Sequence, residues 1–180
     1  MVKKFIAASA IALVMAGCSA SIGATNQASA VAVKQVVEPA QVNLVKKVSL
    51  MAEGQRVQTV IRRLESRIGK TWYVFSGDTP AGWDCSGLVM WAYQQLGINV
   101  PHSANKLGHL NKGVKDPRPG DIVVWAYGKS TSYYHAAIYI GNGKVIHSGF
   151  YKGTTTQIIS LSSMNFKGST PKFIRLIQTL

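Results

Sequence analysis

From Val57 onward the apolar positions fall into a helical rhythm. Val57, Val60, Ile61, Leu64 and Ile68 recur at spacings of three and four, while Arg56, Arg62, Arg63 and Glu65 fall mostly elsewhere on the wheel. Gly69 is the stop signal. A loop rich in Gly, Pro and Asp then runs from Ser76 to Trp83 and ends at Asp84, a residue type that caps helices well. The helix expected from Cys85 carries Leu88, Val89, Trp91, Ala92 and Leu96 and closes at Gly97. It is apolar around much of its circumference, which predicts a central, buried position.

Beyond a polar stretch the rhythm changes. Pro119-Gly120-Asp121 marks a turn into Ile122–Trp125, a short run rich in β-branched residues. A second strand is expected from His135 to Ile140 and a third from Lys144 to Ser148, joined through Gly141-Asn142-Gly143. Gln157–Leu161 and Lys172–Ile177 are further strand candidates. Helices first and antiparallel strands afterwards is an α+β order.

The amino terminus carries no such pattern. Lys3 and Lys4 precede an apolar run from Phe5 to Ala16, too short to span a bilayer, and then small residues, which together read as an export signal. Leu13-Val14-Met15-Ala16-Gly17-Cys18 resembles a bacterial lipobox, whose cysteine is acylated, although Met15 stands where Leu is commonest. Cleavage after Ala20 or Ala30 is the alternative. The expected division is therefore a leader over residues 1–18, a linker or tether over 19–50, and one folded domain over 51–180. The product is expected in the cell envelope, either lipid-anchored through Cys18 or periplasmic or secreted.

Charge narrows the partners. The chain is formally +13, and +11 once Lys3 and Lys4 leave with the leader. Such a field attracts anionic wall polymers and lipid headgroups. The basic residues are scattered, without a recognition helix or zinc-binding spacing, which argues against nucleic acid. Cysteine counting is more pointed. With Cys18 in the leader, Cys85 has no disulfide partner, and an unpaired thiol in an exported protein is a candidate nucleophile.

A thiol attacks as thiolate and needs help at neutral pH. In the first turn of a helix behind Asp84, Cys85 would meet unpaired N–H groups and a favourable dipole. The same N–H groups suit an oxyanion, and Ser86, with Gly87, keeps the surroundings small enough for a substrate backbone. His135 is the candidate base and His147 the group that orients it. The pairing depends on the turn. A two-residue Asn142-Gly143 loop would set Ile138 opposite His147 and send the histidines to opposite faces. A three-residue loop with Gly143 left-handed would set Ala137 opposite His147 and make the histidines diagonal neighbours, about 7 to 8 Å apart at the backbone. The second turn is preferred because it makes the chemistry coherent. His102 and His109 receive no catalytic role. Cys85, His135 and His147 have the chemistry of a three-ligand zinc site, but the paired-cysteine spacing of zinc sites is absent, and neither metal nor cofactor is expected.

Three stretches together carry a family resemblance: Gly82-Trp83-Asp84-Cys85-Ser86-Gly87-Leu88-Val89, Arg118-Pro119-Gly120-Asp121-Ile122-Val123, and His135 to Gly143 followed by Val145-Ile146-His147. From about Val57 to Ile177 the chain resembles the NlpC/P60 cell-wall peptidases. The resemblance implies a papain-like α+β fold, helices packed on a central antiparallel sheet, and a cysteine peptidase acting on peptidoglycan stem peptides. The bond it implies lies between γ-D-glutamyl and diaminopimelyl or lysyl residues. It also implies that Tyr73, twelve residues before Cys85, lies near thiol and substrate. The chain departs from the family pattern at Trp72, at Ser76-Gly77, and at Pro101-His102, where Pro-Arg is common. A wall-binding lipoprotein without turnover, and an amidase or acyltransferase using the same cysteine, are the alternatives.

Overall fold

The computed structural model describes residues 39–149, 153–164 and 168–178. The leader, Cys18 and the tether as far as residue 38 lie outside the described residues. The chain divides into two compact units at Val36/Val37, and the second holds everything described here.

The first helix, α1, spans Pro39–Glu65. It buries Val57, Val60, Ile61 and Leu64, the residues whose rhythm announced it. It begins well before that rhythm, so the last twelve residues of the expected tether are helical. All but the half-buried Leu50 are exposed: Val42, Leu44, Val45 and Val48 face solvent, and with no core to face they leave no buried stripe to read.

Two short strands, β1 (Asp78–Thr79) and β2 (Gly82–Trp83), form a small antiparallel ribbon ahead of α2 (Cys85–Gln94). A one-turn helix, α3 (Ala104–Gly108), follows, capped by the Ser103 side chain. The strands β3 (Ile122–Ala126), β4 (Tyr133–Gly141), β5 (Lys144–Ser148), β6 (Thr156–Ser160) and β7 (Thr170–Ile174) build one antiparallel sheet in the order β6-β5-β4-β3-β7. This is the α+β class expected from the element order.

The sheet separates two cores. On one face Ile122, Val124, Ala136, Ile138, Ile146 and Ile174 pack against α1 and against Leu88, Val89, Ala92 and Tyr93 of α2. On the other, Val123, Trp125, Ala137, Tyr139 and Val145 meet Met164 from the 3-10 turn Leu161–Met164. Every residue of β3 is buried, as suits a strand covered on both faces. Each fully buried Leu, Ile or Val contributes roughly 1.5 to 3 kcal/mol relative to exposure.

The Arg118-Pro119-Gly120-Asp121 motif locks the entry to β3. Gly120 has φ +98, and a Cβ there would stand 2.6 Å from Val57 Cγ1, so the turn needs glycine. The Gly120 carbonyl accepts from the Tyr93 hydroxyl at 2.8 Å, and its N–H donates to Tyr139 at 2.8 Å. Asp121 accepts a forked pair from Arg175, Nε to Oδ1 at 3.0 Å and one terminal nitrogen to Oδ2 at 2.7 Å. That carboxylate is 4% exposed, and the geometry is the bidentate one in which Arg surpasses Lys.

Candidate active site

Cys85 opens α2, and Asp84 is the N-cap, with extended φ −88 and ψ −175. The Asp84 Oδ1 accepts from the Gly87 N–H at 2.7 Å and from the Ser86 hydroxyl at 3.0 Å, while Oδ2 accepts from the Ser76 N–H at 3.1 Å. Trp83 fixes the approach: its indole donates to Thr156 at 2.8 Å and its carbonyl accepts from Ser148 at 2.9 Å. The cap thereby ties the start of α2 to the sheet. Gly87 is small for an internal reason, since a Cβ would lie 2.0 Å from the Gly77 carbonyl oxygen. That close approach requires a residue without a side chain. The buried Ser86 hydroxyl is committed to Asp84.

The Cys85 thiol is pushed up to about 11, first by burial and further by the Asp84 charge, while the backbone N–H groups of Ala136, Ser86 and Cys85 itself pull the other way. The Ala136 contact brings the sulfur beside the residue that follows His135. Burial raises the half-buried Tyr73 phenol, and so do the charges of Asp84 and Cys85. Tyr73 is held by its own N–H, which donates to the Thr154 carbonyl at 2.8 Å.

His135 and His147 share a face of the sheet. His135 Nε2 lies 3.0 Å from His147 Nδ1, and the rings meet edge to face with centroids 5.1 Å apart. Both are buried, at 1% and 3% exposure. Burial, then the neighbouring His147, holds His135 well below the ordinary imidazole range; burial pushes His147 down to about 4, against a raising bond from the Ser148 backbone.

The register that aligns them arises differently from the three-residue loop expected. Gly141 pairs with Lys144, so the loop is the two residues Asn142 and Gly143, with φ 52 and 66 as a type I′ turn requires. That loop alone would have separated the histidines. A register shift between Tyr139 and Gly141 inserts Ile140 as an extra residue and restores Tyr139↔Val145 and Ile138↔Ile146. Carried one residue further, this sets Ala137 opposite His147, the expected face by another route. A second shift, between the pairs Trp125↔His135 and Ala126↔Tyr133, marks Tyr134 as extra just before the histidine.

Two neighbours escaped the sequence reading. His102 Nε2 lies 3.0 Å from Asp84 Oδ1, one residue from the thiol. Gln157 pairs across the strands with His147, and both line a recess of about 210 Å³ with Thr154 and Ser163. The signal for His102 was its place after Pro101, where the family pattern has Arg; nothing in the sequence pointed to Gln157. His109 lies elsewhere, its ring 5.5 Å from that of Tyr133. Among the described residues no three His, Cys, Asp or Glu side chains are grouped to hold a metal ion.

The NlpC/P60 family model matches residues 69–177, which include the cap, the thiol and both histidines. The chain belongs to the NlpC/P60 family. It is 38% identical over 105 residues to the gamma-DL-glutamyl hydrolase of Bacillus subtilis (strain 168), covering 56% of this chain and 25% of that one. It is 38% identical over 112 residues to the murein DD-endopeptidase MepH of Escherichia coli (strain K12), covering 58% and 40%. Among solved structures it resembles the Resuscitation Promoting Factor Interacting protein RipA mutated at C383, with a TM-score of 0.58, 27% identity, and coverage of 70% of this chain and 64% of that one. The chain thus spans well under half the length of these two curated relatives.

Proposed function

We propose that this NlpC/P60 chain is a cysteine peptidase that hydrolyses amide bonds in peptidoglycan stem peptides, with Cys85 as nucleophile, His135 as base and His147 as the group that orients the base. The observation that carries the reading is the 3.0 Å His135–His147 contact on the strand whose Ala136 N–H reaches the Cys85 sulfur. With His135 Nε2 engaged by His147, the proton acceptor is Nδ1. Nε2 then bears hydrogen and donates to His147 Nδ1, so the neutral His147 carries its own hydrogen on Nε2. A raised thiol and a lowered imidazole both favour a resting site in which the two are neutral.

The proton therefore moves as attack begins. His135 takes it from Cys85, sulfur adds to the carbonyl carbon, and backbone N–H groups at the start of α2, those of Cys85 and Ser86, hold the oxyanion. Collapse passes the proton from His135 to the leaving amine and leaves a thioester. Water, deprotonated by His135, releases the acid and restores the thiol. Tyr73, whose phenol senses both Asp84 and Cys85, borders the substrate.

Of the two curated relatives, the one named a murein endopeptidase supports a wall substrate, and the two names point to different bonds, one γ-glutamyl and one between D-residues. We favour the γ-D-glutamyl to diaminopimelyl or lysyl bond, following the family pattern. Export through the leader, attachment through Cys18, and attraction of the basic chain to anionic wall polymers complete the reading. Among the described residues no helix is long and apolar enough to cross a membrane. Incubating the protein with purified sacculi and weighing the muropeptides by mass spectrometry tests it: new amino groups are expected from the wild type and none from Cys85→Ala. Equal release from both would overturn it.

A further inference from the structure

His102 lies in the connection between α2 and α3, where Ser103 caps α3 and donates its N–H to the Pro101 carbonyl at 2.9 Å. Its ring is thus presented from a held backbone, and its side chain is 24% exposed, open to exchange protons with solvent. The ring meets the Asp84 oxygen that also takes the Gly87 N–H and the Ser86 hydroxyl. An ionised carboxylate only accepts, so His102 donates through Nε2 whether the ring is neutral or charged. Protonation therefore changes the field at Asp84 without changing the bond. Asp84 adjoins Cys85, and its charge acts on both the thiol and the Tyr73 phenol.

We propose that His102 is a positioning residue whose charge, acting through Asp84, sets the reactivity of the Cys85 thiol, higher with the ring protonated and lower with it neutral. Histidine is the side chain that ordinarily changes charge between pH 5 and 8. The groups facing the ring through this contact are Asp84 and, behind it, Cys85 and Tyr73. Asp78 of β1 makes no ion pair with it among the described residues, and the basic residues nearest to it in the chain are Lys106 of α3 and His109, which follows α3. An arginine in its place would supply the same charge at every pH. The histidine makes that charge conditional, so protonation of the ring offsets a small part of the reactivity that the thiol itself loses as its surroundings acidify.

This inference rests on Cys85 being the reactive group, and its test reads the thiol directly. The rate of alkylation by iodoacetamide is followed on the full chain from pH 5 to 8, with modification of Cys85 distinguished from Cys18 by peptide mass. For a thiol raised this far, the logarithm of the rate should climb with unit slope, except for a break where His102 loses its charge. Across the break the two branches should be offset by about two- to fivefold, the worth of a partly exposed charge pair. His102→Gln should give one straight line on the high-pH branch, and His102→Arg one on the low-pH branch. A break that survives in His102→Gln, or two variants that share one line, would overturn the proposal. His102→Gln decides the matter even if His102→Arg fails to fold. Muropeptide release is scored separately, so an absent peptidase activity leaves this measurement standing.

Discussion

Two aspartates stand one residue ahead of elements of this fold, and their partners make them different devices. Asp121, at the entry to β3, is gripped by the fork of Arg175 and is 4% exposed. Asp84, at the entry to α2, shares one oxygen among Gly87, Ser86 and His102 and is 12% exposed. A guanidinium is charged at every pH a protein meets, whereas an imidazole is not. The first pair fixes a turn; the second, on our proposal, leaves the charge beside Cys85 adjustable. The same residue type would then serve rigidity in one place and tuning in the other.

The same substitution at both sites should separate them. Asp121→Asn strands the Arg175 charge and should cost about 3 to 5 kcal/mol, read as a lowered denaturation midpoint. Asp84→Asn keeps the cap geometry and should cost under about 1 kcal/mol. Equal losses would dissolve the distinction.

Acid gives the next largest effect. The folded state holds His147 at about 4, below its ordinary value of 6.5, so the unfolded chain binds more protons between those values. Stability from this group is present above pH 6.5 and is lost as pH falls toward 4, by an amount on the order of 3 kcal/mol. His135 acts with the same sign. Melting curves at pH 7 and pH 4 should show this loss, and it should shrink in His147→Gln. An unchanged acid sensitivity in that variant would place the effect elsewhere.

Gly87→Ala tests whether the Asp84 cap depends on close packing. Its Cβ would meet the Gly77 carbonyl, and displacing backbone should cost about 1 to 3 kcal/mol, visible in the melting temperature. Smallest of all, Asp84→Asn should speed alkylation of Cys85 by about two- to fivefold at pH 7, because it removes a charge that opposes the thiolate. A slower rate would reverse the sign assigned to that charge.

Local chemistry was legible in the sequence, and contacts at long range were not. Asp84 before Cys85 announced a capped helix because the cap is written within three residues. The strands were readable from β-branched runs, although β6 and β7 each begin a residue or two earlier than expected. The five residues of α3 are too few to show a period, and the exposed start of α1 has no buried face to generate one. His102 reaches Asp84 across 18 positions, and no local pattern records such a contact. The shared face of the two histidines was anticipated, but its cause was not: turn propensity is carried by Asn-Gly, while the compensating extra residue at Ile140 has no signature of its own.

That extra residue makes the interval between His135 and His147 a length that evolution can relabel more easily than resize. Side chains within it are open to exchange as long as each face keeps its character. Removing Ile140 alone, touching no atom of either imidazole, would turn every residue of β5 over relative to β4. Drift in this hairpin should therefore be rich in substitutions and poor in single-residue insertions and deletions, and where one occurs its complement belongs on the same hairpin.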